Sequence, residues 1–194
     1  MKKVFHCSST RGEANYGWLR AKYSFSFGNY FDPTRIKFGA LRVLNDDIIS
    51  PGKGFGLHPH DNMEIITIPL EGELEHKDSM ENVGVIKANE IQVMSAGSGI
   101  FHSEYNKNID KDVNLLQIWI LPKEKNIIPR YDQKNIEDLK KPNTLYPIIT
   151  PHSKAMGMWI NQDAWFHMGE FNQPTQLEYK LSLIHISEPT RLVS

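Results

Sequence analysis

A mainly β protein is what this sequence predicts, on three observations. Short runs with apolar residues at alternate positions recur along the chain, clusters of Gly, Pro, Asn and Asp separate them, and helical periodicity is rare. With 194 residues, 40% hydrophobic and 23% charged, the chain can build one large or two small packed domains, and it lacks the bias of disordered or fibrous sequences.

Taken in order, FGALRVLNDD (38–47), NMEIITIPLEGELEHKD (62–78), VGVIKANEIQVMSAG (83–97) and VNLLQIWILP (113–122) predict strands or hairpins. Gly72 within PLEGELEH suits a hairpin connection, and Ala88-Asn89 a second tight turn. Only NIEDLKK (135–141) suits a short helix, stopped by Pro142. The polar stretch KEKNIIPRYDQKNIEDLKKPN (123–143) predicts a linker. After it TLYPIITP (144–151), AMGMWIN (155–161), DAWFHMGEF (163–171) and QLEYKLSLIHI (176–186) alternate again. The expected organisation is therefore an N-terminal β domain over 1–122, a linker over 123–143 and a second β module from 144. No short-period repeat is present, which argues against a solenoid or a propeller.

Composition narrows the function. A formal net charge of −1 argues against the broad basic face that phosphate backbones require, so no direct nucleic-acid partner is expected. Cys7 is the sole cysteine and cannot form an intramolecular disulfide, which suits a reducing compartment. The start MKKVFHCSSTRGE has no apolar run behind its basic residues, as a secretory signal would, and no stretch of about 18 apolar residues could span a bilayer. The expected location is the cytoplasm, with no membrane partner.

Chemistry concentrates in two short motifs. In GFGLHPHDNME (54–64), His58 and His60 stand at i and i+2, which on a strand places both on one face, about 6.6 Å apart along the chain. Pro59 points to the other face and restricts the segment to a strand start or an edge. In GSGIFHSEYN (97–106), His102 and Glu104 repeat that spacing after a glycine-rich turn. Two such pairs on antiparallel strands can offer three imidazoles and one carboxylate to a single ion. That mixture suits Fe(II), Mn, Ni, Cu or Zn rather than calcium or magnesium. The remaining histidines, His6, His76, His152, His167 and His185, are expected to be ordinary surface or packed residues.

The segments SFSFGNYFDP (24–33), LRVLNDD (41–47), PGKGFGLHPH (51–60), MEIITIPLEGELEHKDS (63–79), SAGSGIFHSE (95–104) and LLQIWILP (115–122) together resemble the pirin family of the cupin superfamily. The resemblance runs in order through residues 1–181 and implies a bicupin, two β-barrels in tandem with metal in the first only. Carried over position by position, the implied ligands are His58, His60, His102 and Glu104. Cupins in general often take a carboxylate soon after the first histidine pair, which here is Glu64. The pirin pattern draws it from Glu104 and leaves Glu64 a hydrogen-bonded role beside the site.

Bacterial pirins resemble quercetin 2,3-dioxygenases. The implied activity is opening of a flavonol with O2, with Fe(II) as the first choice of metal, Ni, Cu, Mn or Zn as alternatives, and Glu104 taking the proton of the flavonol 3-hydroxyl. Eukaryotic pirins imply a second reading, a non-catalytic, redox-responsive iron protein acting through a protein partner. Two departures from the pattern stand out. Tyr23 occupies a position where pirins commonly have histidine, and the residues after Leu181 do not continue through further strands. The second barrel, 144–181, is thus expected to be incomplete. Residues 182–194 resemble translated read-through of a truncated gene fragment rather than a native ending.

Overall fold

A computed structural model describes residues 6–177. Its strands are β1 (Gly12–Asn15), β2 (Leu19–Tyr23), β3 (Leu41–Ile49), β4 (Gly54–His60), β5 (Glu64–Glu71), β6 (Glu73–Asp78), β7 (Val83–Lys87), β8 (Glu90–Ser95), β9 (Ile100–Tyr105), β10 (Val113–Ile120), β11 (Arg130–Asn135), β12 (Tyr146–Thr150), β13 (Met158–Trp159) and β14 (Phe166–Met168). Among the described residues the helical content is confined to two 3-10 turns, Ser8–Thr10 and Glu137–Leu139. The expected tail over 182–194 lies outside the described residues. No described helix is long and apolar enough to cross a membrane.

A seven-stranded sheet runs in the order β1-β2-β3-β10-β5-β8-β11, and a four-stranded sheet in the order β4-β9-β6-β7. From β3 to β10 the chain repeatedly passes from one sheet to the other, the jelly-roll arrangement of a cupin barrel. This corrects the two hairpins expected at Gly72 and at Ala88-Asn89. Gly72 joins β5 of the large sheet to β6 of the small one, and Asn89 joins β7 to β8 in the opposite sense. Both positions adopt positive φ, +79° and +70°, because each corner needs a left-handed residue. At Gly72 a Cβ would also come within 2.9 Å of the carbonyl oxygen of Asp112.

Strand β5 is buried on both faces, which explains its unbroken EIITI run. Ile65 packs with Met94, Ala96 and Ile100 on the side of the small sheet. Ile66 and Ile68 face the other way and join Ile91, Val93, Ile118 and Ile120 in the largest core cluster. Residues beyond the first barrel cover that second face: Ile136, Tyr146, Ile148, Ile149, Met158 and Ile160 complete the cluster. The last four strands in the chain include a small three-stranded sheet, β13-β12-β14.

Within the polar 123–143 stretch the structure places a strand, β11, paired in register with β8 from Arg130↔Ser95 to Asn135↔Glu90. An edge strand with one face toward solvent accommodates the polar and charged side chains that suggested a linker. The helix expected over 135–141 shrinks to the single turn Glu137–Leu139, since Ile136 is drawn into the core and Pro142 stops any extension.

Candidate metal centre

The inner face of the four-stranded sheet carries the site. Strand β4 is its edge, the position in a sheet that accommodates a residue without an N–H such as Pro59. The side chains alternate as the sequence predicts, with His58 and His60 half-buried and Pro59 exposed. Strand β9 lies beside it and turns Ile100, His102 and Glu104 inward. The β4–β9 register sets His58 opposite His102, and the β6–β9 register sets His76 opposite Glu104 and Asp78 opposite His102. Close approach of β4 to β9 depends on Gly54, where a Cβ would lie 2.1 Å from the carbonyl oxygen of Glu104.

Two overlapping groups of ligand atoms result. One ring nitrogen from each of His58, His60 and His102 lies within 4.8 Å of the others, and so do atoms of His76, His102 and Glu104. His102 belongs to both groups. Glu104 is drawn to the inner side of His102 by Gln117, whose Nε2 donates to both carboxylate oxygens at 3.2 Å, and by Thr67, whose Oγ1 donates at 3.4 Å. These partners belong to a polar row across the large sheet, in which Asn45, Gln117, Thr67 and Gln92 are successive register neighbours. All four are buried, so a polar row lines the large sheet beside Glu104.

Glu64, the alternative carboxylate, is elsewhere. It is buried, accepts a hydrogen bond from Ser95 Oγ at 2.8 Å and falls in neither group of ligand atoms. Among the described histidines expected to be ordinary, His76 is the exception. It is fully buried, with Nε2 3.2 Å from Asp78 Oδ2 and Nδ1 3.2 Å from Gln92 Nε2. The signal was present in LEHKD, where His76 and Asp78 repeat the i, i+2 spacing of the other two pairs. His152 is exposed, His167 lies on β14 far along the chain, and His185 is outside the described residues.

The electrostatics suit metal ligation. Burial, reinforced by neighbouring imidazoles, pushes His60 down to about 4 and His102 down to about 2, so both rings are neutral at neutral pH. Burial raises Glu104, against the opposing influence of His76 and the hydrogen bond from Gln117. The oxygen of Gly56 lies 2.7 Å from His58 Nδ1 and accepts its proton, leaving Nε2 as the lone-pair nitrogen. His102 Nε2 is buried with no hydrogen-bond partner. Neutral imidazoles with uncommitted nitrogens, one of them orphaned in the interior, fit a divalent transition metal.

A family model described as Pirin matches residues 4–120. The chain belongs to the pirin family. A quercetin 2,3-dioxygenase of Escherichia coli K12 is 46% identical to this pirin over 156 residues, 80% of this chain and 66% of the relative, so the chain spans just under two thirds of that protein. A pirin-like protein of Caulobacter vibrioides is 49% identical over 123 residues, 63% of this chain and 53% of the relative. Among solved structures, YhhW from Escherichia coli superposes with a TM-score of 0.79 at 45% identity, covering 83% of this pirin and 68% of YhhW. A further structure of that bacterial pirin is a complex with nickel(II), with a TM-score of 0.75 at 46% identity over 80% of this chain and 66% of the other. The cupin fold expected from the sequence is the fold found.

Proposed function

We propose that this pirin is a metal-dependent dioxygenase that opens a flavonol such as quercetin with O2. The observation that carries the reading is the convergence of His58, His60 and His102 with the Nε2 of His102 buried and uncommitted. The names of the E. coli relative and of its nickel complex support it from outside the chain.

In this reading His58, His60, His102 and Glu104 hold the ion, Fe(II) first and Ni, Cu, Mn or Zn as alternatives. An ion held by these residues would supply Lewis acidity toward a substrate oxygen and redox chemistry with O2. The chain's own residues do the rest. Half-buried His58 and His60 border solvent, so substrate approaches from the β4 side, while buried His102 and Glu104 form the inner wall. Glu104 takes the flavonol 3-hydroxyl proton at a carboxylate oxygen, and Gln117 and Thr67 orient it for that step. We place the protein in the cytoplasm.

Anaerobic loading with Fe(II) followed by quercetin and O2 tests the proposal. Oxygen uptake with release of carbon monoxide is expected. Full metal occupancy without oxygen uptake would overturn the enzymatic reading.

A further inference from the structure

His76 and Asp78 lie behind His102 and bear on which of its nitrogens faces the site. The carboxylate of Asp78 is ringed by donors: the backbone N–H groups of Met80 at 2.9 Å and Asn82 at 3.1 Å, and Asn82 Nδ2 at 3.1 and 2.9 Å to its two oxygens. An oxygen in that setting accepts, so His76 Nε2, 3.2 Å from Oδ2, carries the proton. In the neutral imidazole Nδ1 is then the acceptor. Two groups point at it, Gln92 Nε2 at 3.2 Å and His102 Nδ1 at 3.5 Å, the latter at the long limit of a hydrogen bond.

For that contact to be favourable His102 must carry its proton on Nδ1, which leaves the lone pair on Nε2. Nε2 is the buried nitrogen without a partner. The alternative tautomer would bring two lone pairs together at Nδ1 and direct a proton at His58 and His60. Rotation of His76 out of line is opposed by Tyr131, which stacks on its ring with centroids 4.7 Å apart and is itself tied to Gln133 by a 2.8 Å hydrogen bond. Both nitrogens of His76 are committed, so membership of the inner group of ligand atoms does not make it a ligand.

We propose that Asp78 and His76 form a fixed hydrogen-bonded chain that holds His102 in its Nδ1–H tautomer and aims Nε2 at the metal, which makes both of them positioning residues. The inference rests on the ligand set proposed above. Partners of this kind on ligating histidines are worth about 10–100-fold in metal affinity.

The test has two parts, both on the full chain. Two-bond 1H–15N correlation spectra of the metal-free protein should show His76 as the Nε2–H and His102 as the Nδ1–H tautomer; His102 found as Nε2–H would overturn the proposal without any variant. Nickel(II) affinity, measured by competition with a chromogenic chelator, should fall about 10–100-fold in His76→Leu. In His76→Asn, where Oδ1 takes over as acceptor for His102 Nδ1–H, most of that loss should be recovered. Unchanged affinity in His76→Leu, or equal losses in both variants, would overturn the positioning role. His102→Ala serves as the separate control: nickel binding that survives it refutes the ligand set itself, whereas its loss alongside an unaffected His76→Leu refutes only the positioning chain.

Discussion

His58 and His102 face one another across the β4–β9 ladder with ring centroids 4.3 Å apart. Each ring walls the other, and the same register brings His60 within 5.0 Å of His102, centroid to centroid. Replacing His58 by alanine removes a nitrogen donor from the half-buried side without touching the core. Metal per chain, assayed after purification and dialysis, should drop by more than about tenfold, since even an outer hydrogen-bond partner of a ligand is worth that much. Unchanged occupancy would remove His58 from the ligand set.

Acid should act on the metal-free protein through His60. Its folded value of about 4 lies below the ordinary value near 6.5, so between those two pH values the unfolded chain binds a proton that the folded chain refuses. The folded state therefore loses stability through this group as pH falls across that window. His60→Phe lacks the penalty, and its stability relative to the parent should rise from pH 7 to pH 4.5 in urea titrations. A constant difference would show that His60 titrates normally.

Asp47 should give the opposite sign. It is buried, its Oδ1 has no partner, and burial, aided by Glu104 and Asp46, raises it to about 7. The folded chain holds a proton there that the unfolded chain releases near pH 3.9, so stability through Asp47 declines as pH climbs toward 7. Asp47→Asn cannot ionise, and its advantage over the parent should grow by about 2–3 kcal/mol between pH 5 and pH 8. Parallel denaturant midpoints for the two proteins would measure that growth, and none would place Asp47 in the ordinary carboxylate range.

Gly54 should tolerate no side chain. A Cβ there meets backbone on β9, 2.1 Å from the Glu104 oxygen and 2.6 Å from Tyr105 Cα, and neither can rotate aside. Gly54→Ala should cost about 1–3 kcal/mol and, by separating the strands that carry His58 and His102, lower nickel affinity as well. Wild-type stability and affinity together would show that the ladder relaxes freely.

Much of this architecture is legible one strand at a time. Alternating residues mark the strands, and the i, i+2 spacing of His58 with His60 and of His102 with Glu104 sets each pair on one face whatever the strand later pairs with. Pro59 is exposed on an edge strand for the same local reason. What neighbours along the chain cannot show is which strands lie side by side. PLEGELEH has the composition of a hairpin, yet Gly72 sends the chain to the other sheet, because two sheets closing over one core bury more apolar surface than a flat meander. RYDQKN looks like linker because an edge strand need bury only one face.

The histidines divide along the same line. Backbone geometry within β4 and β9 made the two predicted pairs visible, whereas the HKD pair of β6 gained meaning only when the β6–β9 register set His76 opposite Glu104 and Asp78 opposite His102. Side-chain direction along a strand is a local property of the pleat. Convergence of three strands on one buried imidazole, His102, is a property of strand order and register, which non-local burial and hydrogen bonding select.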